Sequence, residues 1–150
     1  MKIIKTYFFV PILTIGLTMI LLGVRWMVVD EPWMLDEVAN IERLEMTFET
    51  LFDSEINSTL PGYLKQIYRF FGLWVIVIGL FISSFSTPNL VTNKQIRVRL
   101  LICIGIMILI GTILGYLLIP SSPFIYLTWV MTIFYFISLY GHLKLIQINN

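Results

Sequence analysis

Residues 100–141 read LLICIGIMILIGTILGYLLIPSSPFIYLTWVMTIFYFISLYG, and no charged side chain interrupts them. A helix crossing a hydrocarbon core of ~30 Å needs ~20 apolar residues, so this run is too long for one crossing and suits two. Pro120-Ser121-Ser122-Pro123 divides it. Proline cannot continue a helix interior, but it fits the first turn after a serine cap, so Ser122-Pro123 opens a new helix. The stretch predicts a tight hairpin of two spans, at about 100–119 and 124–142.

Upstream, the polar cluster Ser86-Thr87-Pro88-Asn89 ends a further apolar stretch at about 67–85. Thr6 to Val24 is uncharged, and apolar character resumes after Arg25 from Trp26 to Val29, which defines a first span at about 6–29. Lys2 and Lys5 in front of it imitate a secretory signal. The small-residue cleavage pattern is missing, since the first alanine is Ala39, so the segment reads as an uncleaved anchor. Apolar residues make up 58% of the chain and charged residues only 13%, against about 25% in soluble domains, which points to lipid as the main solvent. The expected fold class is all-α: a four-helix transmembrane bundle forming one integral membrane domain over residues 1–150, with an extramembrane acidic segment at 30–62.

A net charge of +1 hides a strong asymmetry. All nine acidic residues fall between Asp30 and Glu55, whereas the ten basic residues run from Lys2 to Lys144. No basic tract is present for nucleic acid to engage. Cys103 is the single cysteine, which excludes an intrachain disulfide and a cysteine-built metal site. With both termini cytoplasmic, the inner faces carry Lys2, Lys5, Lys94, Arg97, Arg99 and Lys144, and the outer faces carry Arg25, Arg43, Lys65 and Arg69. Six against four favours this orientation in a cell membrane, as a multi-pass protein with cytoplasmic N- and C-termini.

Between the first two spans, Leu35, Val38, Ile41, Leu44, Phe48, Leu51 and Phe52 recur at helical spacing, with carboxylates on the remaining positions. This predicts an amphipathic acidic helix, preceded by Asp30-Glu31-Pro32 and stopped by the residues from Asn57 to Gly62. An interfacial helix that binds anionic lipid carries Lys and Arg on its polar face, so this acidic one is expected to dock across the bundle as a lid. Its carboxylates read as a solvated face or as a docking surface for a basic partner protein. No Ca²⁺-loop spacing accompanies them, and no metal site is expected. Small residues supply the packing: Gly16 with Gly23, Gly72 with Gly79, and the Gly111-x-x-x-Gly115 pair. The plainer reading is helix packing within the chain; the alternative is a homodimer face.

Ionisable groups at membrane depth are the natural functional suspects. Arg25 closes the first span and Arg69 opens the second, so antiparallel neighbours would bring both guanidiniums to one level below Asp30 and Glu31. They either snorkel and pair with those acids, or hold an anionic headgroup or polar ligand, since arginine offers planar bidentate donors. In the aromatic fourth span, Trp129 and Tyr135 could line a slot for a flat apolar molecule, although ordinary packing explains them as well. His142 reads as a helix-end residue. No zinc, triad or phosphate-loop motif is present, so catalysis finds little support, an enzyme is the least expected function, and no cofactor is implied.

Tyr68-Arg69-Phe70-Phe71-Gly72-Leu73, then Gly79, the basic turn at Arg97 and Arg99, the Gly-rich third span and the proline turn together resemble the DoxX-like group of small four-span bacterial membrane proteins. The resemblance covers residues 67–144 and implies the bundle; some members of that group associate with quinone-linked or thiol redox complexes. The long acidic segment departs from the group's pattern. Two functions fit these observations. One is a non-catalytic membrane subunit or partner protein that docks through the acidic segment. The other is a binder of a lipid, quinone or similar amphiphile within the bundle.

Overall fold

The computed structural model describes residues 2–149. Four long helices, α1 (Lys2–Val28), α4 (Leu60–Phe85), α5 (Lys94–Leu118) and α6 (Phe124–Asn149), are joined on the acidic side by two short ones, α2 (Glu37–Leu44) and α3 (Phe48–Asp53). Single 3₁₀ turns cover Pro32–Asp36, Glu55–Asn57 and Leu90–Thr92. No strand occurs among the described residues. The four long helices are each long and apolar enough to cross a membrane, so the chain is a multi-pass, all-α membrane protein.

The long helices run beyond the expected spans because helical hydrogen bonding continues after hydropathy falls. α4 begins at Leu60, so Pro61 and Gly62, expected to stop a helix, sit instead in the first turn of one. Proline is tolerated there because its missing N–H has no intrahelical acceptor to lose. At the opposite end Asn93 accepts from the Gln95 amide at 2.8 Å and caps α5.

α1 is the central helix. In its most apolar window 39% of residues are buried, against 22% for α4 and 17% for each of α5 and α6. It packs between α4 and α6, α6 also packs on α5, and α4 and α5 barely touch. The α1–α4 seam is antiparallel and built on glycine. A Cβ on Gly16 would lie 3.0 Å from the Gly79 carbonyl oxygen, and one on Gly23 would lie 2.5 Å from that of Gly72. The seven-residue spacing on each helix thus places two glycine pairs opposite each other, so the backbones meet directly. On the other side of α1, a Cβ on Gly141 would lie 2.8 Å from the Phe8 amide, and the Ser138 hydroxyl donates to the Phe8 carbonyl at 2.9 Å. Gly111 differs: a Cβ added there would meet nothing within 4 Å, so this glycine takes no part in packing among the described residues.

The acidic segment is helical and docks across one end of the bundle, but not as one helix. It breaks at Glu45, which adopts the left-handed conformation at φ 57° and ends α2. Trp33, Asp36, Ala39 and Phe48 are buried, whereas Val38 is 65% exposed and Leu44 is exposed too. Trp33 packs on the rings of Phe48 and Phe52 at centroid distances of 6.1 and 5.4 Å, giving the segment a small aromatic core.

Candidate functional site

Polar groups gather at three places: the acidic end, the basic end that carries both termini, and the slot between α4 and α5. At the acidic end, Arg25 and Arg69 stand at one level on the antiparallel α1 and α4, and both are exposed. Neither forms an ion pair among the described residues. Asp30 instead bonds Lys65, one turn earlier on α4, at 2.9 Å. The hydrogen bond and charge of Lys65 hold the Asp30 carboxyl below its ordinary range, with a smaller contribution from Arg69. Glu31 is exposed and lines a cleft of about 300 Å³ with Trp33, Glu37, Phe48 and Glu49.

The acidic end also contains a buried carboxyl that no feature of the pattern singles out. Asp36 is only 8% exposed, and burial pushes its pKa up; the Ser122 hydroxyl opposes part of that shift by hydrogen bonding. Asp36 Oδ1 has no partner among the described residues, and neither does the buried Trp26 Nε1. Trp26 stacks against Phe71 and Phe124, each at 4.9 Å between centroids. Nearby, Asn40 donates to the Trp33 carbonyl at 2.9 Å and to the Tyr68 hydroxyl at 3.3 Å. Glu42 accepts from the Ser121 hydroxyl. The lid is thus fastened to α4 through Tyr68 and to the α5–α6 turn through Ser121 and Ser122.

Trp129 and Tyr135 lie on α6, which packs on α1 and α5. Trp129 is exposed and donates its indole N–H to Tyr116 at 3.0 Å. Tyr135 covers Gly105 of α5, where its hydroxyl would stand 2.8 Å from an added Cβ. The two aromatics fill the α5–α6 seam and do not join Arg25 and Arg69 in one pocket.

At the basic end, Arg97 is buried to 2% exposure. A cation cannot be stripped of water without new acceptors. Arg97 finds three: the Val91 and Thr92 carbonyls, at 2.7 and 2.9 Å from Nη1, and His142 Nδ1, at 3.2 Å from Nε. The ring of His142 also leans on Phe8. One arginine therefore ties the α4–α5 connection to α6. Arg99 lies two residues on, about 200° around a helix, and so points away from the bundle.

That outward face borders the slot. Where α4 and α5 diverge, Ile78, Phe81 and Phe85 face Leu100, Cys103 and Met107 across a groove of about 380 Å³. A second opening of about 250 Å³ continues from it at Phe85, Leu100 and Cys103 and reaches Arg99. The groove is apolar along its length and ends in a cation.

No family model, curated protein or solved structure matches the chain. Arg97 and Arg99 carry a partial signal in the sequence. Two arginines two residues apart on a helix cannot share a face, so one of them has to turn inward or be held at a boundary.

Proposed function

We propose that this chain is a non-catalytic protein of the cell membrane that holds a membrane amphiphile in the groove between α4 and α5, with both termini cytoplasmic. The observation that carries this reading is the divergence of two consecutive helices. α4 and α5 are joined by a short connection, yet they leave an apolar groove of about 380 Å³ that opens sideways, where bilayer lipid would lie. An amphiphile suits such a space, because its tail matches the apolar walls and its head can remain at the boundary. The excess of basic residues at the end carrying the termini supports the orientation. The resemblance of residues 67–144 to the DoxX-like group keeps a quinone within the same class of occupant.

The test is extraction in mild detergent and mass spectrometry of the small molecules that co-purify, comparing the native chain with Cys103→Trp. Cys103 is exposed and lines the groove, so an indole there fills it without disturbing buried packing. Loss of a co-purifying amphiphile in the variant is the expected result. An unchanged set of molecules would sink the reading.

A second reading, docking of a partner protein, is favoured by the cleft at the acidic end. Glu31, Glu37 and Glu49 surround Trp33, Phe48 and Phe52 there, which suits a basic side chain with an apolar stem. The unused Gly111 face on α5 similarly favours a second copy of the chain as the partner. Cross-linking in membranes from Glu49 and from Gly111, each replaced by cysteine in a Cys103→Ser background, separates these two.

A further inference from the structure

We infer that the occupant of the α4–α5 groove is an anionic phospholipid, with its phosphate held by Arg99. This rests on the amphiphile reading above and adds the chemistry of the headgroup. The argument is one of missing counter-charge. All nine carboxylates lie between Asp30 and Glu55, in the segment at the acidic end, while Arg99 stands in the second turn of α5 at the basic end. The thickness of the bundle separates them, so no side-chain carboxylate of this chain can neutralise Arg99. Two carbonyls of the α4–α5 connection, those of Val91 and Thr92, already accept from Arg97. Arg99 is exposed and makes no hydrogen bond or ion pair with any described residue.

The two arginines thus divide the work. Arg97 ties the end of the α4–α5 connection to α6. Arg99 offers a free guanidinium at the groove's mouth, beside Phe85, Ile96 and Leu100. A guanidinium binds phosphate oxygens through paired, charge-assisted hydrogen bonds. A lipid lying in the groove brings its tail against Phe81, Cys103 and Met107 and its phosphate to the level of Arg99. A neutral quinone or sterol would fill the walls equally well but leave the cation unmatched. Free phosphate would match the cation and leave the walls empty.

Native mass spectrometry of the full chain, titrated with phosphatidylglycerol or phosphatidylcholine of identical acyl chains, tests the inference. Phosphatidylglycerol should be retained about fivefold better by the native chain, and Arg99→Gln should bring the two lipids level. Arg99→Lys, which keeps the charge and loses the planar fork, should fall between them. Cys103→Trp should reduce retention of both. A parallel readout is the alkylation rate of Cys103 by N-ethylmaleimide, which phosphatidylglycerol should slow more than phosphatidylcholine does in the native chain, and equally in Arg99→Gln. Melting temperatures equal to the native value show that Arg99→Gln and Cys103→Trp are folded. Equal retention of both lipids by the native chain, still reduced by Cys103→Trp, overturns the headgroup inference and leaves the amphiphile reading standing. Retention that Cys103→Trp does not reduce overturns both. A preference that survives in Arg99→Gln puts the anion elsewhere and overturns the inference, as does a dimer that Cys103→Trp dissociates.

Discussion

Arg97 and His142 meet at the basic end of the bundle, where the Arg97 Nε–H donates to His142 Nδ1 across 3.2 Å. Accepting that bond requires a free lone pair on Nδ1, so the imidazole is neutral with its proton on Nε2. Both residues are nearly enclosed, at 2% and 6% exposure, and together they join the α4–α5 connection to the last helix. The first prediction follows from this pair. His142→Leu leaves a buried N–H of a cation without its acceptor and should lower stability by ~1–3 kcal/mol. His142→Gln retains an oxygen acceptor and should lose less. Thermal unfolding in detergent, followed by circular dichroism, reads both, and equal losses would show that packing of the ring matters and the bond does not.

The glycine seam makes the second prediction. Gly72→Ala would put a methyl 2.7 Å from the Gly23 carbonyl oxygen, with the Met27 and Trp26 side chains 3.1 Å away, so the backbones must separate to admit it. Separating the helices should lower stability by ~1–3 kcal/mol, as overpacking does in close-packed cores. Gly111→Ala meets nothing within 4 Å and should stay within ~0.5 kcal/mol of the native chain. Similar melting temperatures for the two variants would contradict the packing of α1 on α4.

The contrast between Gly72 and Gly111 marks how far the sequence can be read. Uncharged runs locate all four long apolar helices, because the cost of burying charge in lipid acts on each segment separately. Neighbours are another matter. α6 is apolar on every side, so hydropathy does not say that Ser138 and Gly141 face α1 while Tyr135 faces α5. Small-residue patterning flags Gly111 and Gly115, four apart, as readily as Gly16 with Gly23 and Gly72 with Gly79, seven apart, and only tertiary contact tells them apart. In the acidic segment the apolar stripe suits one unbroken helix. The left-handed turn at Glu45 ends α2 and separates it from α3, and within α2 it is Ala39 that is buried while Val38 and Leu44 are exposed. Arg97 and Asp36 are hidden for a related reason: a charged residue is expected at the surface, and the groups that enclose these two, His142 for Arg97 and Ser122 for Asp36, come from distant parts of the chain.

The third prediction concerns orientation. With the termini in the cytoplasm, residues 30–59 lie outside and the connection at 86–93 lies inside. Ser54 and Asn93 are exposed on these two sides. In a Cys103→Ser background, Ser54→Cys should react with a membrane-impermeant maleimide on intact cells, and Asn93→Cys should react only after permeabilisation. The reverse pattern would invert the protein and move Arg99 to the outer leaflet.

The last prediction uses the buried carboxyl of the lid. Asp36 has its pKa raised in the folded chain, chiefly by burial, with the Ser122 hydroxyl opposing. The folded state therefore keeps the Asp36 proton to a higher pH than the unfolded chain does. Stability from this group is complete below its ordinary value of 3.8 and is lost as pH rises through the raised folded value. Asp30 works in the opposite sense. Lys65 lowers its pKa, so its contribution is present above 3.8 and fades as pH falls through the depressed folded value. The two windows lie on opposite sides of 3.8, which lets one series of melts separate them. Asp36→Asn should flatten the decline in melting temperature above that value, and it should melt higher than the native chain near neutral pH. Ser122→Ala removes the hydroxyl that steadies the charged form, so its decline should be steeper and extend to higher pH. If Asp36→Asn follows the native curve throughout, burial in the lid does not raise the Asp36 pKa, and the carboxyl takes no part in the pH dependence.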